Sequence, residues 1–180
     1  MKVENDRLKD KASFLFDVIK RYDHYIATTN FKVGLMLSFL SAVVVGLVVK
    51  VISTEAISGL DSLALLTLSF SFLTITFSLI ASGLLLKVVF PDTSSCTETE
   101  SLIFYGDVSR RNSTPQEYAQ KFKSADLEKL VEDLSVQAFY VAKAADQKFT
   151  LIKKSVNILT HVVIPFLGIT LFFYMLEGLK

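Results

Sequence analysis

Residues 62–86 read SLALLTLSFSFLTITFSLIASGLLL, 25 residues without a formal charge, closed off by Asp61 on one side and Lys87 on the other. At about 1.5 Å per residue the run reaches about 38 Å as a helix, against a bilayer hydrocarbon core of about 30 Å. A soluble domain rarely needs an uncharged run of this length, so the stretch is expected to cross a membrane. Within it Thr67, Ser71, Thr74, Ser78 and Ser82 recur at spacings of 4, 3, 4 and 4, which places them on one helix face. Such a face either packs and hydrogen-bonds against another helix or lines a polar path when several copies assemble. Packing is the commoner use, and both hold if the face is packed in a closed state and hydrated in an open one.

Two further runs flank this one. Residues 33–49 (VGLMLSFLSAVVVGLVV) are 17 uncharged residues between Lys32 and Lys50. They span about 26 Å, and both lysines can snorkel to the headgroups. Gly34, Ser38, Ala42 and Gly46 recur every fourth residue, a small-residue face of the kind that lets helix backbones approach closely in lipid. Residues 155–176 (SVNILTHVVIPFLGITLFFYML) give 22 more uncharged residues, about 33 Å, with Pro165 and Gly168 expected to kink the helix. His161 lies near the start of this run, where a headgroup-level or helix-contact histidine is expected.

Four segments follow. Residues 1–30 carry Leu8, Ala12, Leu15, Ile19, Tyr22 and Ile26 at helical spacing and predict an amphipathic helix. Its polar face mixes both charge signs, which fits packing on the chain's own polar part better than a membrane-surface anchor. Residues 31–90 form a two-span hairpin around a polar turn at 53–61. Residues 91–154 form a helical module, and residues 155–177 a third span that continues its last helix. The module opens with the polar connector PDTSSCTETE (91–100). The apolar knot SLIFYGDV (101–108) comes next, with Gly106 expected at a turn or a helix C-cap. Thr114, Pro115 and Glu117 are a cap hydroxyl, a first-position proline and a third-position glutamate, and predict a short helix to Lys123. From residue 125 to 164 there is neither glycine nor proline. Leu127, Leu130, Leu134, Ala138, Val141, Ala145, Phe149, Ile152, Val156 and Leu159 mark the apolar stripe of one long helix. The fold class is therefore an all-α membrane protein with three transmembrane helices and a helical cytosolic module between spans two and three.

Orientation follows from lysine and arginine. Residues 1–32 hold seven and 87–154 hold ten, whereas the 53–61 turn holds none. The positive-inside rule then puts the N-terminus and the 91–154 module in the cytosol.

The 180 residues carry a net charge of +1 and one cysteine, Cys96, so neither an intrachain disulfide nor a cysteine-built zinc site is available. Metalloprotease, nucleophile-elbow, P-loop and dinucleotide-binding motifs are missing. No enzyme, metal, cofactor or DNA-binding domain is expected. The best ligand candidates are Phe104, Tyr105, Arg110, Arg111 and Asn112. Adjacent arginines beside hydroxyls can hold phosphate, and the two aromatic rings can stack on a base. Arginine pairs in cytosolic loops also commonly serve only the charge rule, or pair with acids such as Glu117.

The order of these features, with LIFYGD (102–107) and the helix start TPQEY (114–118) as its sharpest parts, resembles the transmembrane effectors of Pycsar-type bacterial antiphage systems. The resemblance covers residues 12–173. It implies an effector in the bacterial inner membrane that answers a nucleotide second messenger or oligonucleotide made by a partner nucleotidyltransferase or cyclase. The effector would then compromise the membrane, causing growth arrest or abortive infection. Three spans make a poor pore alone, so an ion-permeable state implies a homo-oligomer in the lipid bilayer, such as a tetramer. Two rivals remain. One is a membrane-anchored scaffold that docks a protein partner without conduction, and the other a constitutive membrane toxin restrained by its neighbour.

Overall fold

The computed structural model describes residues 2–53, 62–90 and 100–179. The expected turn beyond Ser53, and the connector at 91–99 with Cys96, lie outside them. Every regular element among the described residues is helical. They are α1 (Lys2–Ser53), α2 (Ser62–Val89), α3 (Tyr105–Arg111), α4 (Pro115–Ser124), α5 (Leu127–Ile158) and α6 (Ile164–Gly178). A π-helical turn at Leu159–Val163 joins the last two. Three helices, α1, α2 and the continuous rod Leu127–Gly178, are long and apolar enough to cross a membrane.

The chain divides into two compact units. A polar unit comprises Met1–Thr28 with Asp92–Gln147, and a membrane unit comprises Thr29–Pro91 with Lys148–Lys180. The amphipathic segment and the first apolar run form one uninterrupted helix, because no glycine or proline separates them. In its first half Leu8, Ala12, Leu15, Ile19, Tyr22 and Ile26 are half-buried while the neighbouring charges are exposed, as the apolar stripe requires.

In the membrane unit α2 buries Thr67, Ser71, Thr74, Ser78, Ala81, Leu85 and Val88. The spacing alternates 4 and 3, the period of helices that interdigitate side by side. The first half of this seam is hydroxyl and the second aliphatic. Ser82, which the spacing placed on the same face, is only half-buried, and its hydroxyl bonds back to the Ser78 carbonyl at 2.9 Å. The seam turns instead to Ala81. Val33 and Leu40 of α1, Ala81, Leu85 and Val88 of α2, and Val163 form the buried core. Beside it Phe70 and Phe77 meet Phe166 at 5.7 Å between ring centroids, and Phe70 meets Phe173 at 5.4 Å.

The long helix corrects the expected stripe. Phe149 is 47% exposed, whereas Lys148 and Ser155 are only 5% and 1% exposed. Hydrophobicity alone nominated Phe149, but Lys148 occupies the seam because its ammonium finds acceptors there. Val156 is half-buried, beside a fully buried Ser155 whose hydroxyl is satisfied by its own helix. Ser155 donates to the Leu151 carbonyl at 3.1 Å. Along the rod the buried positions Lys148, Ser155, Val163 and Thr170 are separated by 7, 8 and 7 residues. The longer step falls on the π turn, where the Ile164 N–H bonds the Leu159 carbonyl five residues back. Pro165 explains its place. A proline ring clashes with the carbonyl four residues before it and has no N–H to offer, and one extra residue in the preceding turn relieves both. The expected disturbance at Pro165 is thus a change of helix pitch.

Deleting Thr160, an exposed residue of the π turn, should remove that extra residue and leave a regular α-helix in which Val163 and Thr170 keep the seam at seven-residue spacing. Pro165 would then stand inside a regular helix, its ring against the carbonyl four residues before it. The expected loss is on the order of 3 kcal/mol, read as a lower unfolding midpoint of the detergent-solubilised chain.

Candidate functional site

The apolar knot of the polar unit is built on one hydroxyl. Ser101 Oγ accepts the backbone N–H of Ile103 at 3.1 Å, that of Phe104 at 2.9 Å, and the Gln137 side-chain amide at 3.1 Å. The buried Asp107 carboxylate accepts the Ser101 N–H at 3.2 Å. Asp133 of α5 accepts the Leu102 N–H at 2.8 Å, and the Tyr118 hydroxyl of α4 donates to the Leu102 carbonyl at 3.0 Å. Ser101 and Leu102 have no ladder of their own, so their buried backbone groups take partners from three helices.

This network sets the start of α3. Asp107 and Val108 donate their N–H groups to the Phe104 carbonyl at 3.1 and 3.0 Å, and Asp107 places a negative charge in the first turn, where the helix dipole favours it. Gly106 is therefore the second residue of α3 and neither a turn nor a C-cap. A Cβ there would stand 2.6 Å from Cε1 of the Phe104 ring, so the absence of a side chain lets that ring lie against the helix.

The five ligand candidates all lie on α3 or its flanks. The Phe104 and Tyr105 rings tilt against each other with centroids 4.8 Å apart, and Tyr105 is exposed. Arg110 and Arg111 form the last turn, both exposed, with Arg111 Nε 3.8 Å from Asp107 Oδ1. Asn112 donates its amide to the Val108 carbonyl at 2.9 Å. Its Oδ1 is buried and has no hydrogen-bond partner among the described residues. A cavity of about 190 Å³ lies between the Ser101 segment and α5, lined by Glu100, Lys129, Glu132, Asp133 and Gln137 among others. None of the five candidates lines it, and its acid-rich wall suits hydrogen-bond donors better than phosphate.

The predicted helix start is observed in detail. Thr114 caps α4 by accepting the Glu117 N–H at 3.2 Å, Pro115 is the first residue, and Glu117 reaches back to the Ser113 N–H at 2.9 Å. The Ser113 amide, with Lys121 beside it, holds the Glu117 carboxyl below its ordinary pKa. Glu100, at 2.9 Å, and Glu117 raise that of Lys121.

In the membrane unit the hydroxyl face of α2 meets α6 as a ladder. Thr67 donates to the Glu177 carboxylate at 2.6 Å, Ser71 meets the Tyr174 hydroxyl at 3.2 Å, and Thr74 meets Thr170 at 3.1 Å. Ser78 is buried on the same face and bonds the Thr74 carbonyl at 2.7 Å. Near the Glu177 end Lys50 lies 5.6 Å over the Tyr174 ring. Gly34, Ser38, Ala42 and Gly46 are all exposed, on the side of α1 opposite Val33, Leu40 and Leu47. Space around both glycines is open. Among the described residues no three His, Cys, Asp or Glu side chains gather as metal ligands.

Residues 14–176 match the family described as the Pycsar effector protein domain, PycTM. The chain belongs to the Pycsar effector family. It is 28% identical over 160 residues to the Pycsar effector protein EcPycTM of Escherichia coli, covering 86% of each chain. No solved structure matches it. With three helices able to span a bilayer, this effector is a membrane protein.

Residue reasoning overlooked Ser101, Asp107, Asp133 and Gln137, which organise the motif. Asp107 stood in the quoted LIFYGD run, and a buried acid amid apolar neighbours was the available signal. Replacing Ser101 with Ala should leave Gln137 and two backbone amides without their acceptor, at about 1–3 kcal/mol. A lower unfolding midpoint with helix content retained is the expected result.

The paired shifts also fix a pH window. Glu117 stabilises the α4 start above its ordinary value of 4.5, and that contribution fades as pH falls through its lowered pKa. Lys121 contributes below its ordinary value of 10.5 and fades as pH rises through its raised one. Hydrogen-exchange protection of the Ser113 and Glu117 amides should therefore drop below about pH 4 and hold at neutral pH.

Proposed function

We propose that this chain is an antiphage effector of the bacterial inner membrane. A partner cyclase or nucleotidyltransferase makes a nucleotide signal, the polar unit receives it, and the membrane unit assembles into an ion-permeable homo-oligomer that arrests the infected cell. The observation that carries this reading is the family match over residues 14–176, which takes in the polar motif and all three candidate spans together. In this reading the N-terminus and the 91–154 module face the cytosol, consistent with their lysine and arginine. Arg110, Arg111 and Asn112 bind the phosphate end of the nucleotide, and Tyr105, with Phe104 behind it, stacks on the base. The unfilled Asn112 Oδ1 beside the arginines favours this placement, since a ligand donor would satisfy it.

Energetics require several copies. Moving a gate from 1:99 to 99:1 takes about 5.5 kcal/mol of differential binding. A charge-assisted hydrogen bond contributes about 1.5–3 kcal/mol before binding costs. Sites acting together on one oligomer meet this more readily than a single site does. The open Gly34, Ser38, Ala42 and Gly46 face supplies a contact between copies. The ladder from Thr67 to Ser78 is then the closed arrangement, hydrated on opening. A scaffold without conduction is the second reading, favoured by one observation: every hydroxyl of that ladder already has a partner within the chain.

Inner-membrane potential in cells, followed with a voltage-sensitive dye, tests the proposal. Depolarisation is expected when the chain and its active nucleotide-making partner are present together. A Gly34→Leu, Gly46→Leu double variant should lose both the depolarisation and crosslinked oligomers. Arg110→Ala with Arg111→Ala should lose the nucleotide response while keeping the oligomers. No depolarisation of the unmodified chain under any condition would favour the scaffold.

A further inference from the structure

Lys148 is the one buried lysine of the described residues, and no carboxylate among them pairs with it. Its ammonium donates instead to two neutral acceptors, the Val88 carbonyl in the last turn of α2 and Asn30 Oδ1 of α1, the latter at 3.2 Å. A buried ammonium answered only by neutral groups is costly, and a packed apolar residue of the same volume would avoid that cost. What the ammonium gains is the negative end of α2, because a helix C-terminus leaves carbonyls without amide partners and carries about half a negative charge. One side chain of the long rod thus reaches the C-terminal turn of α2 and the middle of α1 at once. Both contacts lie within the membrane unit, and Lys148 is the first residue that the rod contributes to it. A purely packing role would need neither the charge nor the two directed hydrogen bonds.

We propose that Lys148 is a latch that ties the C-terminal turn of α2 to α1 and the rod, and that its release is the step by which the membrane unit opens. The second half rests on the conduction reading above, and the first half does not. Of the two contacts of Lys148 only the one to α2 takes a helix-end carbonyl, so α2 is the helix freed when the contact breaks. Replacement of the ammonium by any neutral group should free it permanently.

The test uses the full chain in lipid nanodiscs, with Cys96→Ser and nitroxide labels at Lys32→Cys and Lys87→Cys. Both lysines are exposed and stand within two residues of the latch contacts. With Lys148 present, the label-to-label distances should form one narrow distribution. Lys148→Met, which keeps the length and loses the donors, should broaden it toward longer distances, and Lys148→Arg should restore the narrow form. An unchanged distribution in Lys148→Met overturns the latch, and so does equal broadening in Lys148→Arg, which would mark a packing role. Should Lys148→Met fail to accumulate, Asn30→Ala is read in the same way, with partial broadening expected and no change overturning the proposal. In cells, Lys148→Met should depolarise the membrane without the nucleotide signal. Broadening in nanodiscs with no depolarisation in cells keeps the latch, and overturns release as the opening step.

Discussion

In a bilayer, a polar group that a helix carries inward has to be answered by protein, because lipid offers nothing to bond with. That constraint explains more of this chain than hydrophobicity does. The α2 hydroxyls back-bond to carbonyls four residues earlier, and three of them also reach α6. Lipid tails are as apolar as leucine, so aliphatic contact alone gives helices little reason to prefer one another. The hydroxyl half of the seam therefore gives direction and register to the pair, while Ala81, Leu85 and Val88 supply close packing. Glu177, at the far end of the ladder, is a carboxylate that the span carries because Thr67 stands opposite it.

The polar unit meets the same demand on a smaller scale. A short irregular segment, Ser101-Leu102, is buried under helices and cannot take its hydrogen bonds from water. Gln137, Asp107, Asp133 and Tyr118 answer it from three directions. The motif that most resembles the family is thus, in the first place, a folding device. The arginines and the exposed Tyr105 ride on the helix that this device begins. Side chains displayed on so short a helix depend on the hub beneath them, since seven residues alone do not sustain helical structure.

Much of this was legible beforehand. Spans show in sequence because lipid forbids charge over about 20 residues, a constraint strong enough to survive without tertiary knowledge. The α4 start was legible because a cap, a proline and a glutamate act locally. What failed depended on side-chain contacts that a hydrophobic pattern does not carry. Lys148 displaced Phe149 from the buried stripe because Asn30 and the Val88 carbonyl accept its ammonium, and no periodicity of apolar residues records an acceptor. Gly106 was misplaced because its neighbour's ring, and not a turn, required the missing side chain. The five candidate ligand residues are neighbours in sequence and lie on α3 and its flanks. The Asn112 oxygen left without a donor could be seen only in three dimensions.

The π turn at Leu159–Val163 behaves like a dislocation in a crystal lattice. It holds one surplus residue that the helix on either side does not need. Such a defect can be passed along a helix by exchanging one hydrogen bond at a time, without melting the rod. Each residue it passes is turned by about 100° about the helix axis and advanced by about 1.5 Å. Pro165 stops it from travelling toward the C-terminus, because the ring cannot supply the next N–H. The free direction is back along the apolar rod toward Ser155 and Lys148. A screw motion of this kind changes which side chains face the other two helices while leaving every segment helical.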